Sequence, residues 1–132
     1  MISDNRLITS SETTQDSAIL YLEGELISQT RYDVERILRE WQESGVRWVV
    51  VRMPALKYID SAGLSTLLGA LHRYRREGGD LILAELNPSL TAIFEVTSME
   101  KYFKIFPSVD EAKHHFEQAK AADEAHKKKA TE

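Results

Sequence analysis

The chain has 132 residues, a formal net charge of −4 and a pI near 5.6. That length builds one domain with a real core rather than two, and the acidic balance argues against nucleic acid as the main partner. Cysteine is absent, which excludes disulfides, thiolate metal sites and thiol redox chemistry; no apolar run reaches the roughly 18–20 residues that span a bilayer, so direct membrane insertion is not expected.

The opening residues Met1-Ile2-Ser3-Asp4-Asn5-Arg6 lead into no apolar core segment, so a secretory signal is not expected. Leu7-Ile8 predicts a weak first strand, and the polar run Ser10-Ser11-Glu12-Thr13-Thr14-Gln15-Asp16 predicts a solvated loop. Ala18-Ile19-Leu20-Tyr21-Leu22 predicts a second strand ended by Gly24, paired with the first as a hairpin at one side of the sheet. Glu23 and Glu25 flank Gly24 and read as loop charges near a partner-facing end.

Ser28 or Thr30 can cap the next helix, whose inward stripe is Val34, Ile37, Leu38 and Trp41. Gly45 suits the left-handed position that closes it. Val46-Arg47-Trp48-Val49-Val50-Val51 reads as a strand buried on both faces. Leu64, Leu67, Leu68 and Leu71 then follow at i, i+3, i+4 and i+7, one stripe of an amphipathic helix that runs to about Glu77 and stops at Gly78-Gly79. Its basic end, His72 to Arg76, suits the negative pole of a helix C-terminus.

Leu81-Ile82-Leu83-Ala84 predicts another buried strand. Asn87-Pro88-Ser89 predicts a turn and cap before a helix with Leu90, Ile93 and Phe94 inward, broken at Thr97-Ser98-Met99. Tyr102-Phe103-Lys104-Ile105-Phe106 predicts the last strand, ended by Pro107. Ser108-Val109-Asp110-Glu111 is a capping box for a final helix with Val109, Ala112 and Phe116 inward. Residues 1–117 therefore read as one domain. Residues 118–132, with Lys127-Lys128-Lys129, read as a charged extension that is a frayed helix or disordered. Strands and helices alternate after an initial strand pair, which predicts an α/β architecture with right-handed crossovers.

The chemistry concentrates between the third strand and the helix after it. Asp60 and Ser61 are both good N-cap residues there, so a serine hydroxyl stands in the first turn of a helix near a strand end. Free amides and the helix dipole favour negative charge at that point. A phosphate on Ser61 would add roughly −1.5 to −2 charge and change what the surface binds more than how the domain folds. Gly63 fits a point where a side chain would be crowded by a close partner backbone.

Ser61 does not read as a catalytic nucleophile. A nucleophile elbow needs glycine two residues before the serine, where Ile59 stands, and the histidines His114, His115 and His126 lie far along the chain. His114 and His115 point about 100° apart on a helix and cannot easily share one ion. No zinc-protease, Walker or dinucleotide motif is present. Catalytic residues, resident metal and cofactor are all expected to be absent, and the chain reads as a binding module.

Tyr58-Ile59-Asp60-Ser61-Ala62-Gly63-Leu64, then Leu67-Leu68-Gly69-Ala70-Leu71 and Gly78-Gly79, with Gly24-Glu25-Leu26 and the closing run from Phe103 to Ala112, resembles the anti-sigma factor antagonist (STAS domain) family. The resemblance covers roughly residues 5 to 117. It implies a small mixed β-sheet of about five strands with about four helices. It implies a regulatory protein of bacterial partner switching, phosphorylated on serine by an anti-sigma factor kinase that supplies the ATP and reset by a PP2C-type phosphatase. Ser61 matches the phosphoacceptor and Asp60 its acidic neighbour. Gly63 and Leu64 match the contact turn, and Asp60, Ala62 and Glu25 are expected at the same partner-binding end. The implied protein is cytoplasmic and a monomer or weak dimer. The family also supplies constitutive subunits of lipid-transporting ABC complexes, which is the alternative reading. This chain departs from the family pattern at Ala62, where a second serine is frequent, at Ser65 and Ser98, where glycine is, and at Ile27, where aspartate is. Those positions bear on which partner is recognised.

Overall fold

A computed structural model of the chain describes residues 6–131, with side chains from Arg6 to Ala125. The expectations placed on residues 1–5 and on the side chains of residues 127–129 lie outside the described residues.

Strand β1 (Leu7–Thr13) and strand β2 (Ser17–Leu26) pair antiparallel, from Leu7 opposite Gly24 to Thr13 opposite Ala18. The run from Ser10 to Thr13, expected as loop, is therefore strand; only Thr14, Gln15 and Asp16 turn the chain. Its side chains from Ser10 to Thr13 face solvent at the sheet edge, so no burial period marks it, and pairing along β2 alone holds it extended. Gly24, expected to end β2, lies inside it at φ +105°. A Cβ there would run into the Arg6 carbonyl, so only glycine lets β1 begin so close.

Helix α1 (Arg31–Glu43) buries Val34 and Leu38 and leads to β3 (Trp48–Ile59). β3 was expected to end near Val51, but it continues for eight further residues to Ile59. Helix α2 (Ser61–Arg76) follows, then β4 (Asp80–Ala84) and α3 (Pro88–Val96). A 3-10 turn (Met99–Lys101) begins at Ser98, whose φ of 60° is left-handed. The last strand is shorter than expected. β5 holds only Ile105–Phe106, while Phe103 turns inward to meet Phe94 edge-on at 5.8 Å between ring centres. Helix α4 (Val109–Thr131) closes the fold, and Ser108 caps it by accepting the Glu111 amide at 3.1 Å. α4 continues past residue 117, and Lys120 reaches back to donate to Asp16 Oδ1 at 3.1 Å and Ser17 Oγ at 3.0 Å.

Among the described residues the sheet has five strands in the order β1-β2-β3-β4-β5, antiparallel between β1 and β2 and parallel elsewhere. Helices α1, α2 and α3 cover one face, over a core that joins Leu20, Leu22, Val49, Val51, Leu67 and Phe94. Helix α4 covers part of the other face, over Val50, Ile82, Ala84 and Phe116. No helix among the described residues is long and apolar enough to cross a membrane.

Candidate functional site

β3 outlasts β4. β4 pairs only with Trp48 to Arg52, so on that side the second half of β3 has no strand neighbour. Asn87 supplies one. Its side-chain amide donates to the Pro54 carbonyl at 3.2 Å and to the Leu56 carbonyl at 2.8 Å, while its Oδ1 accepts the Leu90 amide at 2.9 Å and caps α3. On the other side β2 stays in register, with two shifts that accommodate Pro54 and Lys57, and sets Glu25 opposite Tyr58 and Leu26 opposite Ile59. The strand end that presents Ser61 is thus held from both sides.

Asp60 leaves the strand with extended backbone and caps α2. Its Oδ1 accepts the Gly63 amide at 2.9 Å and its Oδ2 accepts the Ser28 amide at 3.0 Å. Its own amide donates to the Leu26 carbonyl at 3.2 Å, and its carbonyl accepts the Leu64 amide at 2.9 Å. One aspartate therefore pins the start of α2 to the loop between β2 and α1. That loop is braced internally by Thr30 Oγ1, which donates to the Glu25 carbonyl at 2.8 Å and accepts the Ile27 amide at 2.9 Å. Thr30, expected as a side-chain cap of α1, makes no such cap bond because its hydroxyl is occupied in this turn.

Ser61 is the first residue of α2, and its side chain is exposed. The amides of Ser61 and Ala62 have no acceptor within the helix. Around the hydroxyl, Ser28, Gln29, Tyr58 and Ser65 are also exposed, from three different elements. Of the other residues expected at the partner surface, Asp60, Ala62 and Glu25 are half-buried, whereas Gly63 and Leu64 are buried inside the domain. The crowding at Gly63 comes from its own chain, not from a partner. An added Cβ would run into the Leu26 carbonyl oxygen and stand 2.8 Å from Ile59 Cγ1. Gly63 and Leu64 set the position of the helix start, and Ser61 presents the functional group.

Among the described residues the histidines do not converge on this site. His72 lies about three turns along α2, roughly 16 Å away, and His115 packs on the Phe106 ring under α4. Among the described residues no group of three or more His, Asp or Glu side chains is placed to hold a metal ion. Two contributors escaped sequence reasoning. The Ser28 amide and the Asn87 amide act across 32 and 31 positions of chain, respectively, and nothing local marks them.

A strand-to-helix corner presenting Asp60-Ser61-Ala62-Gly63-Leu64 in this sheet order agrees with the STAS domain family model, which matches residues 9–112. The chain belongs to the STAS domain family. A relative in Bordetella bronchiseptica, BtrV, named as an anti-sigma factor antagonist, is 34% identical over 67% of this chain and 74% of its own. The anti-sigma-B factor antagonist of Staphylococcus aureus is 27% identical over 67% of this chain and 82% of its own. In three dimensions this STAS domain superposes on an anti-sigma factor antagonist from Mycobacterium paratuberculosis with a TM-score of 0.76 and 18% identity, over 89% of this chain and 99% of that one.

Proposed function

We propose that this STAS domain is an anti-sigma factor antagonist switched by reversible phosphorylation of Ser61. The observation that carries the reading is an exposed hydroxyl at the first position of α2, beside a carboxylate whose two oxygens are both held inside the domain. Relatives named as anti-sigma factor antagonists support the general role.

In the unphosphorylated form the surface around Ser61 docks on an anti-sigma factor serine kinase, which then releases its sigma factor. The kinase supplies ATP. Ser61 Oγ attacks the γ-phosphorus, ADP leaves and the hydroxyl proton passes to a base of the kinase. The two unbonded first-turn amides and the helix dipole tolerate the phosphate in place. The added charge of about −1.5 to −2 beside Asp60 then opposes docking. A PP2C-type phosphatase restores the serine by hydrolysis. The chain itself acts as a binder and substrate, in the cytoplasm, and contributes no catalytic group.

Ser61→Asp is expected to weaken kinase binding at least tenfold, about 1.4 kcal/mol, measured by calorimetric titration with the kinase. Ser61→Ala should keep binding and take up no label from radioactive ATP. Undiminished labelling of Ser61→Ala would refute the site.

A further inference from the structure

The two edges of the sheet are unlike. β5 at one edge is two residues long and too short to template another strand. β1 at the other is seven residues long. It contains no proline, lysine or arginine, the residues that normally guard an edge.

The hairpin fixes which backbone groups of β1 face outward. The Thr14 amide donates to Ser17 at 2.8 Å, and the Glu25 amide donates to Arg6 at the other end. Both bonds fall on even-numbered residues, Arg6 and Thr14, that flank β1. Antiparallel ladders alternate. Arg6, Ile8, Ser10, Glu12 and Thr14 therefore point their amides and carbonyls toward β2, and Leu7, Thr9, Ser11 and Thr13 point theirs away from the sheet.

We infer that this edge is an interface for a second copy of the same chain, with β1 pairing antiparallel to β1 across a two-fold axis at Thr9. In that register Thr9 faces Thr9 and Leu7 faces Ser11, all residues with outward backbone groups, while Thr13 lies beyond the paired run. Side chains on one face of the sheet then oppose one another in a second complementary set. Ile8 meets Ser10, and at each end Arg6 meets Glu12, the only charges on that row among the described residues. Moving the axis to Ser10 would pair all four outward residues, Leu7 with Thr13 and Thr9 with Ser11, but would set Glu12 against Ile8 and leave Arg6 opposite Thr14, so it is the charge match that selects Thr9. The charges complement each other in the Thr9 register, and a two-fold axis uses that match twice.

So few residues a side bury little surface, so the dimer is concentration-dependent rather than obligate. Ser61 lies at the end of β3, two strands in from the edge. The inference stands apart from the phosphorylation reading and shares no residue with it.

Sedimentation equilibrium of the full chain, from about 10 μM to about 1 mM, tests it. Wild type should show a monomer–dimer equilibrium that weakens with salt. Glu12→Arg sets like charges at both ends and should raise the dissociation constant at least tenfold. Adding Arg6→Glu to Glu12→Arg restores the opposite charges and should return it to within about threefold. Thr9→Pro removes an outward amide while sparing the β1–β2 bonds, and should abolish dimerisation with an unchanged circular dichroism spectrum. A wild type that stays monomeric throughout overturns the proposal. So does a Glu12→Arg dimer of undiminished affinity, or failure of the double reversal to restore it. Capture of a foreign extended segment in preference to self-pairing would also overturn it.

Discussion

Asp60 is the residue on which the site's geometry depends, since both its oxygens bind backbone amides from different parts of the chain. Removing an N-cap carboxylate costs about 1 kcal/mol, and here the Ser28 amide loses its partner as well. Asp60→Ala should therefore destabilise by roughly 2 kcal/mol, read from the urea midpoint. Asp60→Asn keeps one acceptor and should cost about half as much. In both variants the Ser28 amide should exchange its hydrogen faster, which separates release of the loop from a general loss of stability. Gly63 gives a complementary test. A methyl group there meets a backbone carbonyl that cannot swing aside, so Gly63→Ala should cost about 2–3 kcal/mol. If stability were unchanged, the close approach of α2 to Leu26 would not be the reason for glycine.

At the scale of elements, the site depends on a strand that has lost a neighbour. Asn87 replaces that neighbour with two donated hydrogen bonds and caps α3 with its oxygen. Asn87→Asp separates the two jobs. The cap survives, but the donors vanish and a carboxylate faces two carbonyl oxygens. A loss of about 2 kcal/mol is expected, with faster exchange in the second half of β3. α1 and α2 are joined by a buried bond, the Tyr74 hydroxyl donating to the Leu38 carbonyl at 2.6 Å. Burial pushes the Tyr74 pKa up from 10.0 to about 12. The folded state thus favours the neutral phenol. The stability it confers is fully present below about pH 10 and is lost as pH rises toward about 12. Tyr74→Phe should cost about 1 kcal/mol at neutral pH and flatten that alkaline limb of the melting curve.

Helices were legible in the sequence because each has a stripe at the right spacing; Asp60, Asn87 and Ser108 cap where expected, and α1 forms without a side-chain cap. Strands at the margins were not. β1 carries hydroxyls in solvent where a pattern of burial would have marked it. The second half of β3 contains Pro54, tolerated only because β4 has already ended there. β5 lost Tyr102 and Phe103 because Phe103 gains more by filling the large core than by pairing in the sheet. The serine, its aspartate and the helix start were readable as one local stretch. Their tie to Ser28 was not, since it depends on the β2–β3 register. The Ser98 departure from the family's glycine acquires a physical meaning only in three dimensions, where its backbone is left-handed.

For the whole molecule, the sheet separates two cores of unequal size. The larger joins α1, α2 and α3 and carries Ser61 at its margin; the smaller rests on Val50, Ile82, Ala84, Ala112 and Phe116 beneath α4. Trp48 and Phe116 meet at 5.2 Å between ring centres and anchor α4 to the sheet. Emptying that contact tests whether the two faces act independently. Phe116→Ala removes the largest α4 contribution and should cost about 3–4 kcal/mol, a large share of a total stability of about 5–15 kcal/mol. Yet among the described residues no hydrogen bond or ion pair links Ser61, Asp60 or Ser28 to α4. Well below the melting temperature, affinity for the partner that docks at Ser61 should stay within about twofold of wild type. A parallel loss of affinity would mean that α4 reaches the docking surface through the sheet, with β3 and β4, which both bury side chains in the two cores, transmitting strain from one face to the other.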